Sequence, residues 1–327
     1  MTTFLSSWQD FKSVVEGTSR KLLKKTCFPL AIKQLAFISA QMQDEELSYH
    51  AVVCHSEQAH IQRKMNNSDE ERKQYVIAAN ILYNLLYRRV NSRSRAHCYS
   101  RKEITVFYSR SISLCMEMRD LRVAGFTSLE AAKVLTDCVQ SDMAAEHAQR
   151  AVRLLEGDFN ALLQSLYCLA TVHFHLSLWE HLLADVDDIW MVIMKCKSRS
   201  SMGRRVLKDL EVITVLILWR TQLSCSGRHK LLMSLYADSL GFHMRRKGLP
   251  CQSAHGNSSL SSREFHMVRE FLGLLSSGRV QDARTSLLCN TAYKKVDAGN
   301  ITRSKLLFLS PLAVQVILLF TNKDQVL

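Results

Sequence analysis

Residues 128–195 read SLEAAKVLTDCVQSDMAAEHAQRAVRLLEGDFNALLQSLYCLATVHFHLSLWEHLLADVDDIWMVIMK, with apolar side chains at the spacing of amphipathic helices. Similar residues recur in this stretch 34 positions apart, which is the period of tetratricopeptide repeats. The pairs are Leu135 with Leu169, Thr136 with Ala170, Val152 with Val186 and Leu155 with Ile189. The spacing predicts two helical hairpins, 128–141 with 143–156 and 159–176 with 179–196. The small Ala148 and Ala170 are expected at helix contacts.

The helical pattern continues on both sides of this stretch. Further helices are expected at about 4–25, after Pro29, and at 46–65, 70–89, 101–121, 204–223, 228–247, 263–277, 279–292 and 310–322. Gly125 is expected to interrupt a helix, and Thr127 to cap the next one. The expected fold is all-α, a tetratricopeptide-like α-solenoid of antiparallel helix pairs. We expect one helical-repeat domain over residues 1–327, with basic linkers at about 90–100 and 197–203 and a polar loop at about 248–262.

The composition argues against an enzyme. Among 327 residues only 11 are glycine and 3 proline, too few for the many tight turns of an α/β enzyme. The sequence contains no Walker loop, no GxSxG elbow and no GxGxxG motif. The 10 cysteines form no CxxC pair, which argues against a zinc knuckle and fits a reducing compartment. We therefore predict no catalytic residues, no cofactor, no metal and no small-molecule substrate.

Three clusters contain metal-ligand or carboxylate side chains: His173 with His175; His50, Cys54 and His55; and Asp185, Asp187 and Asp188 beside Trp190. On a helix, residues two apart point in different directions, which separates the first two histidines. No other ligand lies near the second cluster in the sequence. The three acids are expected on a solvated helix face. None of these clusters is predicted to be a site.

The net charge of +13 is concentrated in basic blocks, at Arg88–Lys102 and Lys195–Lys208. Such blocks can bind nucleic acid, anionic lipid or an acidic protein. Both are rich in Ser and Arg and lack interleaved stacking aromatics, so we predict solvated linkers. Residues 1–8 lack the features of a signal peptide, and no apolar stretch is long enough to span a bilayer. The chain is expected to be soluble and cytoplasmic, with no membrane insertion.

Two predicted helices are apolar on all sides. One contains Val212–Trp219 and is expected to be buried among other helices. The other lies near the end of the sequence, where an exposed apolar surface would mark a partner site. Its candidate interface residues are Leu312, Val314, Val316, Ile317, Leu318, Leu319 and Phe320.

Several segments, in this order along the chain, are similar to the family of the forty-kilodalton huntingtin-associated protein, also called the factor VIII intron-encoded protein. They are Phe11 with Ser19–Lys25, Glu45–Ala51 leading to Cys54 and Ala59, Ala78–Leu82, Ala144–Ala151, and Leu306–Ser310 with its apolar helix. The order and spacing of these segments carry the resemblance. The chain departs from the family at 195–206, where a short basic block replaces a long Pro/Ala-rich loop.

The resemblance implies a stoichiometric partner of huntingtin that lies between its HEAT-repeat domains and its bridge region. It also implies a link to early endosomes and their transport, with a cytoplasmic location that extends to endosomes and the nucleus. The helical pattern alone predicts a helical-repeat binding protein. Two alternatives therefore stay open: an adaptor subunit of another complex, of the vesicle-fusion or proteasome-lid type, and a nucleic-acid-binding protein that uses its basic loops.

Overall fold

The computed structural model describes residues 2–19, 27–90, 98–138, 141–195, 201–223, 227–237, 258–283 and 311–321. Regular structure within these ranges is helical throughout, with no strand, which confirms the predicted all-α class. The helices are α1 Thr2–Ser19, α2 Phe28–Asp44, α3 Ser48–Lys64, α4 Ser68–Val90, α5 Cys98–Glu117, α6 Leu121–Asp137, α7 Ser141–Leu154, α8 Phe159–His175, α9 Trp179–Lys195, α10 Ser201–Thr221, α11 Gly227–Tyr236, α12 Ser262–Ser276 and α13 Pro311–Thr321. Pro29 lies in the first turn of α2, as predicted.

The contacts divide the chain into two compact units, Met1–Leu176 with α1–α8 and Ser177–Leu327 with α9–α13. The boundary separates the two helices of the second predicted hairpin. The pairing of 159–176 with 179–196 therefore stays a prediction, and so does the single domain over 1–327.

In the first unit, each helix packs on the next one along the chain, from α1 to α8. The direction of α6 and α7 follows from two contacts. Gly125, near the start of α6, lies against Leu155 just after α7. Ala144, near the start of α7, shares an apolar cluster with Leu135, near the end of α6. The two helices are therefore antiparallel, as predicted for the first hairpin.

Three turns of this glycine-poor chain are built without glycine. Glu46, Asn66 and Arg119, each just after a helix, adopt left-handed backbone angles of φ 60°, 55° and 60°. At each turn the next residue donates its N–H to a carbonyl five positions back, which is the Schellman arrangement. These hydrogen bonds join Leu47 to Met42 at 2.7 Å, Asn67 to Gln62 at 3.0 Å and Asp120 to Cys115 at 2.9 Å. Scarce glycine therefore does not prevent tight helical turns.

The predicted helix boundary at Gly125 is wrong. Gly125 and Thr127 both lie inside α6, and Asp120 caps the helix by accepting a hydrogen bond from the Val123 amide at 3.1 Å. A Cβ at Gly125 would lie 2.7 Å from two side-chain carbons of Leu155. The glycine therefore permits close packing of α6 rather than ending a helix.

Several predicted segments lie partly outside the described residues. Among the connections these are 91–97 of the first linker, 197–200 of the second and 248–257 of the polar loop; among the predicted helices they are 20–25, 238–247 and 284–292. The ends of the first predicted linker belong to helices, since α4 reaches Val90 and α5 begins at Cys98. Residues 201–203 of the second linker form the first turn of α10 rather than a linker.

In the second unit, α9, α11 and α13 all pack on α10. Its apolar stretch is buried, including Val212, Ile213, Val215, Leu216, Ile217 and Leu218. The carboxylate of Glu211, itself buried, accepts hydrogen bonds from the Tyr236 hydroxyl, the Ser258 hydroxyl and the Ser259 amide, each at 2.6 Å. This carboxylate thereby ties the end of α11 and the approach to α12 to the central helix.

Candidate partner-binding surfaces

The seven candidate residues of α13 divide into covered and accessible side chains. Leu312, Val316 and Ile317 are buried. Val314 and Leu319 are half-buried, and Leu318 is 37 % exposed. The side chain of Phe320 lies outside the described part of the chain. The buried set contains members of both sides of the helix, and α13 packs on α10.

The first unit carries large apolar side chains that face outward on its helices. Phe37 on α2 is 72 % exposed, and Leu30, on the same face two turns earlier, is also exposed. Val106 on α5 is 63 % exposed. Sequence analysis did not single out these residues. The sequence could have indicated that Phe37 is exposed, since this residue lies off the buried stripe formed by Leu35, Ile38 and Met42.

The second unit also carries large apolar side chains that are exposed. Met191 and Met194 lie one turn apart on α9, and Met194 is 60 % exposed. Leu231 on α11 is 70 % exposed. Flexible, polarizable methionine side chains are common on surfaces that bind other proteins. Both units therefore present apolar side chains suited to burial by a partner.

A cavity of about 580 Å³ opens in the first unit where α6 begins, α7 ends and α8 begins. Its walls are formed by Leu121, Arg122, Leu154, Leu155, Gly157, Asp158 and Phe159. The walls are about equally polar and apolar and include one cation and one carboxylate. The turn after α7 brings these groups together, and the sequence analysis did not identify them.

The charged groups of this cavity are held in place by their neighbours. Arg122 Nη2 donates to Asp158 Oδ2 at 3.1 Å, and the guanidinium lies 5.8 Å from the centre of the Phe126 ring. The other carboxylate oxygen of Asp158 accepts from the Ala161 amide at 3.2 Å and so caps α8. Asp158 therefore orients the arginine as well as starting the helix.

The histidine clusters are dispersed by the fold. His173 is buried and His175 exposed, so the two side chains point apart as predicted. His55 Nδ1 lies 2.8 Å from Gln74 Oε1, an acceptor, which makes this nitrogen the donor. The other ring nitrogen then accepts from the Ser39 hydroxyl at 2.9 Å. Burial lowers the pKa of His55.

The two other members of this cluster, Cys54 and His50, contact different residues. The Cys54 thiol lies 3.8 Å from the sulfur of Met42, and the His50 ring meets Trp8 edge-on. Burial raises the pKa of Cys54 to about 12. No group of three or more metal-ligating side chains occurs among the residues that the structure describes.

The acidic cluster on α9 is not a solvated face, contrary to the prediction. Asp185 is buried, while Asp187 forms an ion pair with Arg228 and lies 3.2 Å from His229 Nε2. Only Asp188 of the three is exposed. The Arg228 guanidinium also lies over the Trp190 ring, 4.0 Å from its centre. Asp187 therefore holds α11 against α9, a role that the local sequence does not reveal.

His147 on α7 is buried without a hydrogen-bond partner for either ring nitrogen among the described residues. Burial, with a smaller contribution from the Arg150 charge, lowers the pKa of its imidazole to about 4. The ring is therefore neutral at physiological pH and packs as an apolar group.

No family model matches the chain. An uncharacterized protein of Caenorhabditis elegans is 30% identical over 103 residues, which are 31% of this chain and 33% of that protein. The match thus spans about a third of that relative. The crystal structure of the apo form of RapI aligns with a TM-score of 0.37 and 11% identity, over 86% of this chain and 98% of that chain. Within the described residues, no helix combines the length and apolar character needed to cross a membrane.

Proposed function

We propose that this chain is a non-enzymatic scaffold that binds a huntingtin-type HEAT-repeat protein as a stoichiometric partner. It stabilises that assembly and links it to early-endosome transport. The structural support is that each of the two helical units exposes large apolar side chains, above all Phe37 and Leu231. The sequence resemblance supports the choice of partner.

Exposed apolar groups favour binding because their burial is favourable by roughly 1.5–3 kcal/mol for each aliphatic or aromatic side chain. Buried aromatic anchors often supply most of the affinity of an interface. Phe37 and Leu30 share one face of α2, which makes this face the strongest candidate anchor in the first unit. In the second unit, Met191 and Met194 of α9 offer an adaptable surface.

Co-expression of the full chain with a huntingtin-type HEAT protein tests the proposal. We expect a one-to-one complex by size-exclusion chromatography with light scattering, and self-association of the free chain. A free chain that remains a monodisperse monomer and ignores the HEAT protein contradicts the proposal. Native co-purification that instead yields a vesicle-fusion or proteasome-lid type complex would retain the adaptor role and refute the huntingtin-type partner.

Charged substitutions at exposed apolar positions locate the interface. We expect Phe37→Asp on α2 and Leu318→Asp on α13 to weaken the complex by about tenfold each, since a carboxylate cannot replace a buried apolar anchor. Gln164→Asp adds the same charge at an exposed polar position of α8 and should leave affinity unchanged. Equal affinities for all three variants would exclude both apolar faces from the interface. Val316 is unsuitable for this test because it is buried.

A further inference from the structure

We propose that one face of α9 is a docking site for an arginine-containing apolar segment of a partner protein, and that Arg228 of α11 occupies this site as an internal placeholder. The face is formed by Asp187, Trp190, Met191 and Met194. Both helices belong to the second unit. The inference stands without the proposed function, because it concerns the chemistry of one helix face and not the identity of the partner.

The placeholder shows which chemistry this face accepts. The Arg228 guanidinium forms an ion pair with Asp187 Oδ1 and lies 4.0 Å from the centre of the Trp190 ring. A carboxylate beside an indole ring binds a guanidinium in two ways, through its charged N–H donors and through its flat face. The structure therefore already contains the kind of group that this pair of side chains selects.

The internal arginine leaves part of the site unused. Arg228 and His229 both contact the same oxygen of Asp187, Oδ1, and no donor among the described residues lies within hydrogen-bond distance of Oδ2. The Nη2 atom of Arg228 is buried and has no acceptor in the same part of the chain. An arginine that approaches with two N–H groups can contact both carboxylate oxygens, which is the stronger, bidentate arrangement. An arginine of a partner can therefore bind Asp187 more tightly than Arg228 does.

The neighbouring methionines supply the apolar part of the face. Asp187, Trp190 and Met194 are three and four residues apart, so their side chains share one side of α9. Met191 is 52% exposed and Met194 is 60% exposed, while Trp190 is half-buried. Departure of Arg228 uncovers the indole ring beside these methionines, and aromatic side chains anchor many interfaces. A segment with an arginine next to aliphatic side chains fits both parts of the face.

The start of α11 is the part that must move. Two of the buried residues of α11, Leu235 and Tyr236, lie at its end, and the Tyr236 hydroxyl donates to the buried Glu211 carboxylate of α10. The start of α11 contacts α9 through Arg228 and His229. Helix ends open more easily than helix centres. The first turns of α11 can therefore leave α9 while its end stays on α10.

The probe is a fluorescein-labelled peptide of sequence Ser-Leu-Arg-Leu-Leu-Ser, compared with a peptide that carries citrulline, an uncharged isostere, in place of the arginine. Binding to the full chain is measured by fluorescence anisotropy at physiological salt. We expect the arginine peptide to bind at least about fivefold tighter than the citrulline peptide. Equal affinities of the two peptides would overturn the proposal.

Removal of the placeholder is the sharpest test. Arg228→Gln should bind the arginine peptide at least about fivefold tighter than the wild type, because no internal guanidinium then competes for Asp187. Arg220→Gln, at an exposed position of α10, makes the same change in net charge and should bind like the wild type. Equal affinities of Arg228→Gln and the wild type would show that Arg228 is a structural contact only.

Two further substitutions, made in the Arg228→Gln background, locate the site. Asp187→Asn keeps the size of the side chain but removes its charge, and it should weaken binding by at least about fivefold. Asp188→Asn removes the charge of the exposed neighbouring acid and should leave the affinity unchanged. Circular dichroism checks that all variants are folded. The same affinity for both variants would place the peptide elsewhere and refute the site.

Hydrogen exchange distinguishes displacement of α11 from simple binding. In the wild type, saturating arginine peptide should speed amide exchange at residues 231–234 of α11, because the bound arginine takes the place of Arg228. Exchange at residues 212–218 of α10 should not change. Slower exchange at 231–234 on binding would contradict displacement.

Discussion

Gly125 has no Cβ, and the Leu155 side chain occupies the space that a Cβ would need. Leu155 is fully buried, so it has little room to move away. The contact explains why a glycine is retained inside α6 despite its poor helix propensity. The local sequence around Gly125 cannot show this contact, since Leu155 lies 30 residues further along, just after α7.

Gly125→Ala is expected to destabilise the protein by about 1–3 kcal/mol, because the added methyl group overpacks the seam between α6 and α7. Gly17→Ala is the matched control. Gly17 also lies in a helix, but a Cβ there meets no atom within 4 Å. The control should therefore gain up to about 1 kcal/mol of helix propensity. Urea unfolding curves measure both changes, and equal effects of the two substitutions would contradict the packing argument.

His147 makes the stability of the first unit depend on pH. Its pKa in the folded state is about 4, below the ordinary histidine value of 6.5, so the unfolded chain takes up the proton first. Stability is therefore complete above about pH 6.5 and is lost as the pH falls toward 4. Between pH 6.5 and pH 5 the loss should reach roughly 2 kcal/mol from this group.

The matched variant is His147→Leu, which keeps an apolar group in a site that offers no hydrogen bond among the described residues. We expect its urea midpoint to fall less than that of the wild type between pH 7 and pH 5. His55, whose pKa is also lowered by burial, retains its own contribution in the variant. Parallel pH profiles for the two proteins would show that His147 does not titrate as described.

Among the helices, local periodicity predicts α7, α8 and α9 to within about two residues at each end, because their apolar stripes and short turns are local features. The start of α6 is missed because its cap, Asp120, follows a left-handed residue that no glycine signals. The accessible part of α13 could not be predicted either. Which of its apolar side chains remain exposed depends on packing against α10, which is distant in sequence.

Glu211 is the polar anchor of the second unit, and Glu211→Gln tests that role. Three donors converge on this carboxylate, whereas an amide would direct its own N–H₂ toward at least one of them. We expect a loss of about 1.5–3 kcal/mol and faster amide hydrogen exchange in α11 and at residues 258–261.

Ser234→Ala is the control for this substitution. The Ser234 hydroxyl donates to a carbonyl of its own helix, at Leu231. Its removal should leave exchange at 258–261 unchanged. Unaltered exchange there in Glu211→Gln would show that the carboxylate does not hold the segment.

Across the whole molecule, the net charge of +13 allows weak attraction to any polyanion. We expect only sequence-independent binding to duplex DNA at low salt, lost by about 0.2 M salt because released counterions drive it. The proposed complex with a HEAT-repeat protein, which would rest on apolar burial, should persist under the same conditions. Anisotropy titrations with two scrambled duplexes measure the difference. Tight binding to one duplex over the other at physiological salt would favour the nucleic-acid alternative.

The order in which helices pack in the first unit has a consequence for biosynthesis. Each helix from α1 to α8 packs mainly on the helix before it or the helix after it in the sequence. Such local contacts form quickly and need no distant part of the chain. The emerging polypeptide can therefore bury α1 to α4 on one another while later helices are still inside the ribosome. Ribosomes stalled after residue 120 should carry a nascent chain that already resists limited proteolysis.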